Sequence, residues 1–384
     1  MTRQLTRREL LERAALGGTA LALPGLLSAC GGGIENEESG GATTVERQLA
    51  GTLRISNWPL YIDIDEKTKK RPTLQQFQQE FGVNVRYIED VNDNDEFFGK
   101  VQAPLRQGDS IDRDIVVLTD WMAGRMVRLG YVEKLDLETI PNAKNLVDAL
   151  ASPGWDPDRT YSLPWQSGLT GIGYDKTKTG GPVTSVSQLL EDPKLKGKVA
   201  FLTEMPDTMG LVLQDDGKDP TAVSPADFDA AIARLQEGVD SGQIRRFTGN
   251  DYSGQLANGD LWACAAWSGD MVQLIADNKN LAFEIPKAGG MIWTDNMLIP
   301  TGGDVFTAST FMNFVYRPKI AAQIEAYVNY ICPVKGAKEE IDPELAANPL
   351  IFPDDATLAK VKIFDAKAAD NQDLKEKFQA VVGA

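Results

Sequence analysis

Histidine is absent from all 384 residues of the chain. That absence removes Ser-His-Asp and Cys-His nucleophilic catalysis, histidine-bound metal, and the usual general base near neutral pH. Cysteine is scarce: Cys30, Cys264 and Cys332 are the three. No apolar run reaches the roughly 20 residues that a membrane-spanning helix needs. Cations are in deficit, with 39 Lys and Arg against 55 Asp and Glu and a formal net charge of −16. That balance suits a cationic solute and argues against nucleic acid as a partner, although a solvated acidic surface is its commonest cause. What is present, 42% hydrophobic and 24% charged residues, describes a folded globular chain with room for two domains of ordinary size.

The start of the chain reads as an address. Thr6-Arg7-Arg8 precedes Leu10-Leu11, and the residues from Ala14 to Ala29 are uncharged and broken by Pro24. This is the layout of an export signal, and the twin arginine suggests the route taken by folded proteins. Leu27-Ser28-Ala29-Cys30 resembles the lipobox of bacterial lipoproteins, which implies a signal peptide over 1–29 and a lipidated Cys30 anchored to the membrane. The plainer alternative is a buried Cys30 at the end of an apolar helix. Residues 30–50, rich in Gly, Glu and Thr, make a flexible tether. Loss of residues 1–29 removes four Arg and two Glu and takes the net charge to −18. Cys264 and Cys332 remain; an exported protein can join them, and the sequence leaves that pairing open.

The body alternates strands and helices. Leu53–Trp58 reads as a strand closed by Pro59. Leu74, Phe77 and Phe81 repeat at helical spacing up to Gly82, and Val83–Tyr87 returns as a strand. A helix over Glu96–Arg106, a strand over Asp114–Leu118 and a helix from Trp121 to Gly130 follow. Such alternation implies a mainly parallel sheet covered on both faces. From Tyr161 to Trp165 the pattern changes to what reads as Gly-rich turns at Gly168, Gly171 and Gly173, marking a crossing into a second lobe. There, Lys198–Leu202 is a strand, and Ser224 caps a helix carrying Phe228, Ile232, Leu235 and Val239 on one face. The chain crosses back along Gly290–Met297. Helices over 305–316 and 319–330 follow, divided by Pro318, which a helix interior tolerates poorly.

Four predicted strands end alike, each with rings, acids or hydroxyls just before a helix. They are Trp58 with Tyr61, Thr119 with Trp121, Glu204 with Asp207, and Trp267 with Asp270. In a parallel sheet these ends face one crevice. Trp293 and Asp295, two residues apart on the returning strand, point to one face. Aromatic rings attract cations, carboxylates receive ammonium groups, and a buried acid without a cation is costly. The set therefore suits an organic cation. Each ring alone is equally a core residue, and Asp270 with Gln273 is equally a D-x-x-Q helix start.

From Gly51 onward the chain resembles the substrate-binding proteins of bacterial spermidine/putrescine ABC transporters. The residues that carry the resemblance are Asn57-Trp58 with Tyr61, Asp114–Val117 with Trp121, and Tyr161-Ser162 with Pro164-Trp165 and Gly171, Gly173 and Tyr174. Trp267-Ser268-Gly269-Asp270, Pro286-Lys287 with Gly289-Gly290, Trp293 with Asp295, and Tyr330 complete them. The resemblance implies a two-lobe periplasmic-binding-protein-like α/β fold of type II, with mainly parallel sheets and crossing hinge strands. Residues 51–163 would begin lobe 1, 164–291 form lobe 2, and 292–384 return through the hinge to complete lobe 1. It also implies a monomer without cofactor, metal or catalysis, which closes on a polyamine and delivers it to a permease.

By the same resemblance, Trp58, Tyr61, Trp121, Trp267, Trp293 and Tyr330 surround the guest's alkyl chain and ammonium groups, and Asp270 and Asp295 take amino groups. Thr119 falls where the family often has Ser. Glu204 and Asp207 lie in the segment that holds two acids for the far amine, but the matching places by ungapped count are Met205 and Thr208. Phe364 stands where the family has a late polar contact. These departures bear on which polyamine is preferred. Two alternatives are another organic cation (a quaternary ammonium compound or an amino acid) in the same fold, and a secreted glycosidase with Trp subsites and paired acids. The latter lacks any barrel pattern.

Overall fold

The structure is a computed structural model and describes residues 47–383. The export segment, Cys30 and most of the tether lie outside the described residues. The first strand, β1 (Thr52–Asn57), is followed by α1 (Pro72–Phe81) and β2 (Asn84–Glu89). Pro72 fits the first turn of α1, Leu74 and Phe77 form its buried face, and Gly82 ends it with a left-handed φ of 70°. Next come α2 (Asn94–Arg106), β3 (Ile115–Thr119), α3 (Asp120–Arg128) and the long β4 (Ser162–Asp175). Asp93 caps α2 by accepting from the Glu96 N–H at 2.9 Å.

Beyond β4 lie β5 (Val199–Leu202), α4 (Met205–Asp215), α5 (Pro225–Asp240), β6 (Ile244–Thr248) and α6 (Tyr252–Ala257). Ser224 caps α5 through the Asp227 N–H. Then follow β7 (Ala263–Trp267), α7 (Ser268–Asp277), β8 (Leu281–Glu284) and β9 (Gly290–Leu298). The chain finishes with α8 (Val305–Val315), α9 (Pro318–Val328), β10 (Val361–Lys362) and α10 (Gln372–Val382). Pro318 opens α9, where its missing N–H costs nothing.

The strands run in the order β2-β1-β3-β9-β4-β7-β5-β6, with β10 beside β9 and β8 beside β4. Each wing is parallel, β1 pairing with β2 and β3 and β5 with β6 and β7, and short β10 adds a parallel pairing to the start of β9. The centre is antiparallel, because the chain crosses on β4 and returns on β9. Each wing repeats one order, a second strand, a first, a third, then a crossing strand; this is the type II arrangement. Pro164, which has no N–H to give, coincides with the register shift in the β4–β9 ladder. Cys264 and Cys332 are both buried free thiols.

The glycines expected to make turns after Trp165 instead lie inside β4, every residue of which is buried. They mark close approaches rather than bends. A Cβ on Gly168 would stand 2.3 Å from the Trp293 ring, and one on Gly171 would stand 2.5 Å from the Glu284 carbonyl oxygen. The second obstacle is backbone and cannot rotate away. Gly171→Ala is therefore expected to lower the unfolding free energy by about 1–3 kcal/mol, as overpacking usually does. Chemical denaturation measures it, and an unchanged midpoint would show that the β4–β8 contact is looser than described.

Candidate functional site

Three buried carboxylates, two just past strand ends and one within β9, are each held by a hydroxyl that a second donor orients. Asp295, on β9, accepts from Thr119 Oγ1 at 2.7 Å and Tyr61 Oη at 2.9 Å. Thr119 Oγ1 in turn accepts from Asn94 Nδ2 at 2.9 Å, which fixes its proton toward Asp295. Asp207, in the first turn of α4, accepts from Thr170 Oγ1 at 2.6 Å and Trp267 Nε1 at 3.0 Å. Thr170 Oγ1 accepts from Trp293 Nε1 at 3.1 Å. Asp270, in the first turn of α7, accepts from Tyr252 Oη at 2.9 Å, and that oxygen accepts the Trp267 N–H at 2.9 Å. Tyr330 Oη and Asn250 Nδ2 also donate to Asp270, at 3.3 and 3.4 Å.

These contacts set aside the capping reading of Asp270. The helix begins at Ser268, so Asp270 is past the cap position. Gln273 donates to the Val328 carbonyl at 3.2 Å instead of closing a capping box. The motif Trp267-Ser268-Gly269-Asp270 then has a part for each residue. Ser268 Oγ accepts from the Leu169 N–H, and a Cβ on Gly269 would stand 2.4 Å from the Tyr330 ring, so only glycine lets that ring approach.

The rings connect the acids. Tyr61 meets Tyr330 edge-on at 5.5 Å, Tyr330 lies 5.6 Å from Trp293, Trp293 meets Trp267 at 6.5 Å, and Trp267 meets Tyr252 at 5.9 Å. These spacings are those of attractive edge-to-face pairs. Trp293 and Asp295 thus serve one face of β9, as their spacing predicts. Trp58 and Trp121 stand outside this series of ring contacts. Trp58 is half-buried after β1, with its indole N–H buried and without an acceptor. Trp121 has the Lys375 ammonium over its ring at 4.3 Å, so its face meets a cation of the protein itself.

Glu204 precedes α4 without capping it. It stands in the field of Asp207 on its own side and of Asp93 and Asp95 on the facing segment. Burial, reinforced by those three acids and opposed by the Asn94 amide, pushes its carboxyl well above the ordinary range. Burial likewise raises Asp207 to about 6 and Asp295 to about 7; the Thr170, Trp267, Thr119 and Tyr61 donors pull the other way. Among the described residues, no Lys or Arg lies within ion-pair distance of Asp207, Glu204 or Asp295. Asp120, behind β9, accepts from the Thr294 N–H and Asn296 Nδ2, and burial raises it to about 6.

Sequence reasoning missed Thr170, Tyr252, Asn94 and Asp120. Tyr252 obeys the strand-end rule, since it follows β6. The charged pair Arg245-Arg246 hides that strand in the sequence.

Two parallel wings joined by antiparallel crossing strands, with acids and rings gathered at the strand ends, define a solute-binding protein of the type II fold. Residues 73–353 match the bacterial extracellular solute-binding proteins, and the chain belongs to that family. It is 31% identical over 341 residues to the putrescine-binding periplasmic protein PotF of Escherichia coli (strain K12), covering 83% of this chain and 87% of that one. A solved Listeria monocytogenes chain, assigned to a spermidine/putrescine ABC transporter, is similar at a TM-score of 0.76 and 26% identity, covering 87% of this chain and 98% of that one. The spermidine/putrescine substrate-binding protein PotD of Streptococcus pneumoniae shares the fold at a TM-score of 0.71 and 24% identity, covering 87% of this chain and all of that one. Members of the family are exported. Among the described residues, no helix is long and apolar enough to cross a membrane.

The raised carboxyls set a pH dependence. The ordinary value for Asp is 3.8, against about 7 for folded Asp295. Between those values the folded protein holds a proton that the unfolded chain has released, so this contribution to stability is present at low pH and is lost as pH rises toward 7. Asn, like protonated Asp, is neutral and sets a donor group beside a carbonyl acceptor. Ligand-free Asp295→Asn is expected to melt above the parent near pH 8 and to converge on it near pH 4, in melting curves taken across that range. A constant offset at every pH would contradict the assignment.

Proposed function

We propose that the chain captures a polyamine, putrescine or spermidine, outside the cytoplasmic membrane and hands it to an ABC permease. The observation that carries this reading is the set of buried Asp207 and Asp295 with half-buried Glu204, held by hydroxyl, indole and amide groups with no cation against them among the described residues. Burying carboxylates so is unfavourable unless something positive completes the site. Protonated amines do so with several N–H donors each, and the Trp267, Trp293 and Tyr330 rings add cation–π attraction of about 0.5–2 kcal/mol apiece. PotF, similar over most of both chains, is named as a putrescine-binding protein, and this supports the choice of guest.

On this reading the two wings are lobes, residues 51–163 beginning the first, 164–291 forming the second and the chain returning through the hinge from 292, and they close as the guest favours the closed state. Cys30 carries the lipid anchor, the protein acts as a monomer, and no chemical step is involved. Tyr61, Thr119, Asp207, Trp267, Asp270, Trp293, Asp295 and Tyr330 contact the guest. Trp58, Trp121 and Glu204 line the approach. A quaternary ammonium guest would need rings alone. Carboxylates ordered by Thr119, Thr170 and Tyr252 favour a guest that donates hydrogen bonds.

Putrescine or spermidine at a large excess over its dissociation constant is expected to raise the melting temperature by on the order of 5 °C. Asp295→Asn and Asp207→Asn should each lose most of that gain. Silence toward every polyamine, with a shift given by choline or an oligosaccharide, would discard the reading.

A further inference from the structure

We propose that Lys375 is a built-in ammonium group that fills the outer end of the acidic cleft, on Trp121 and Asp95, and so limits the length of the polyamine accepted. This rests on the polyamine reading. Its Nζ lies 2.8 and 3.0 Å from the two carboxylate oxygens of Asp95 and 4.3 Å from the centre of the Trp121 ring. A carboxylate with an aromatic face beside it is the same pair of features that the inner site offers a guest. The lysine side chain is 11% exposed, so it is an inserted group and not a waving surface one.

The acids form a row that ends at this lysine. Asp295 lies in the field of Asp207, and Glu204 lies in that of Asp207 and of Asp95. Thr119 joins Asp295 to Asn94 by hydrogen bonds, and Asp95, next to Asn94 on α2, holds Lys375. Lys375 reaches this place from the far wing. Its helix α10 packs Phe378 against Phe247 of β6 at 6.1 Å and pairs Lys377 with Asp229 of α5. Asp95 and Trp121 belong to α2 and α3 of the first wing. Arg125 and Arg128 of α3 reach back to Asp370, just before α10. The fold therefore delivers a fixed positive charge to the end of the row from the far wing, beside the Arg125 guanidinium of α3, which lies 3.6 Å from the same Asp95 carboxylate. A diamine that spans the inner acids leaves it in place. A triamine must bring a third ammonium against a like charge and compete for an aromatic face and a carboxylate already engaged.

Titration calorimetry of the full chain with putrescine and with spermidine tests this. In Lys375→Met the spermidine-to-putrescine affinity ratio is expected to rise by about tenfold or more, and Lys375→Gln should reproduce the change. Lys375→Arg, which keeps the charge, should keep the parent ratio. Equal factors on both guests would mean a mere latch between wings and would overturn the inference while the polyamine reading stands. No heat from either guest with parent or variants would overturn both together.

Discussion

Everything in this structure turns on the cost of taking carboxylates out of water without a counter-charge among the described residues. Asp207, just past β5, and Asp295, within β9, are buried, and among the described residues the groups that hold them are neutral donors. Neutral donors orient a carboxylate but offset only part of its desolvation, and so burial raises Asp207 to about 6 and Asp295 to about 7. A folded protein keeps such a feature only where something else completes it. In the proposed function the guest supplies the missing charge, and the unfavourable ligand-free state becomes the source of selectivity for cations.

The fold supplies the geometry for this arrangement from the two crossing strands. β4 and β9 run antiparallel through the middle of the sheet, and their partners on either side are parallel wings. Parallel strands put their carboxyl ends on one side, which brings Thr119 and Asp207 toward the same place as Asp295 of the return strand. Gly168 and Gly269 clear the space for the Trp293 and Tyr330 rings. Helix starts at α4 and α7 direct their dipoles at Asp207 and Asp270, an electrostatic setting that favours anions.

Much of this was legible in the sequence because strands, helix starts and stops obey local rules. Leu74 and Phe77 with Gly82, Ser224 with Pro225, and the apolar run at Ile115 each fall where periodicity and capping put them. The strand-end rule also led to Thr119, Asp207 and Asp270, which the structure sets among hydroxyls and rings. What escaped the sequence depended on distance or on a misread local signal. Thr170 sits among glycines that look like turns but lie in β4, where absent side chains admit Trp293 and the β8 backbone. Tyr252 follows a strand whose solvent-facing arginines break its apolar pattern. Lys375 meets Asp95 across 280 positions of chain, and no periodicity carries that information.

The central claim is that the guest's charge replaces protons held by the raised carboxyls. Calorimetric titration with a polyamine near pH 6, repeated in buffers of different ionisation enthalpy, counts the protons exchanged on binding. The account predicts a net release of on the order of one proton, drawn from Asp295 and Asp207 as they ionise against the guest, fading toward pH 8. Binding with no proton exchange, or with uptake, would contradict it.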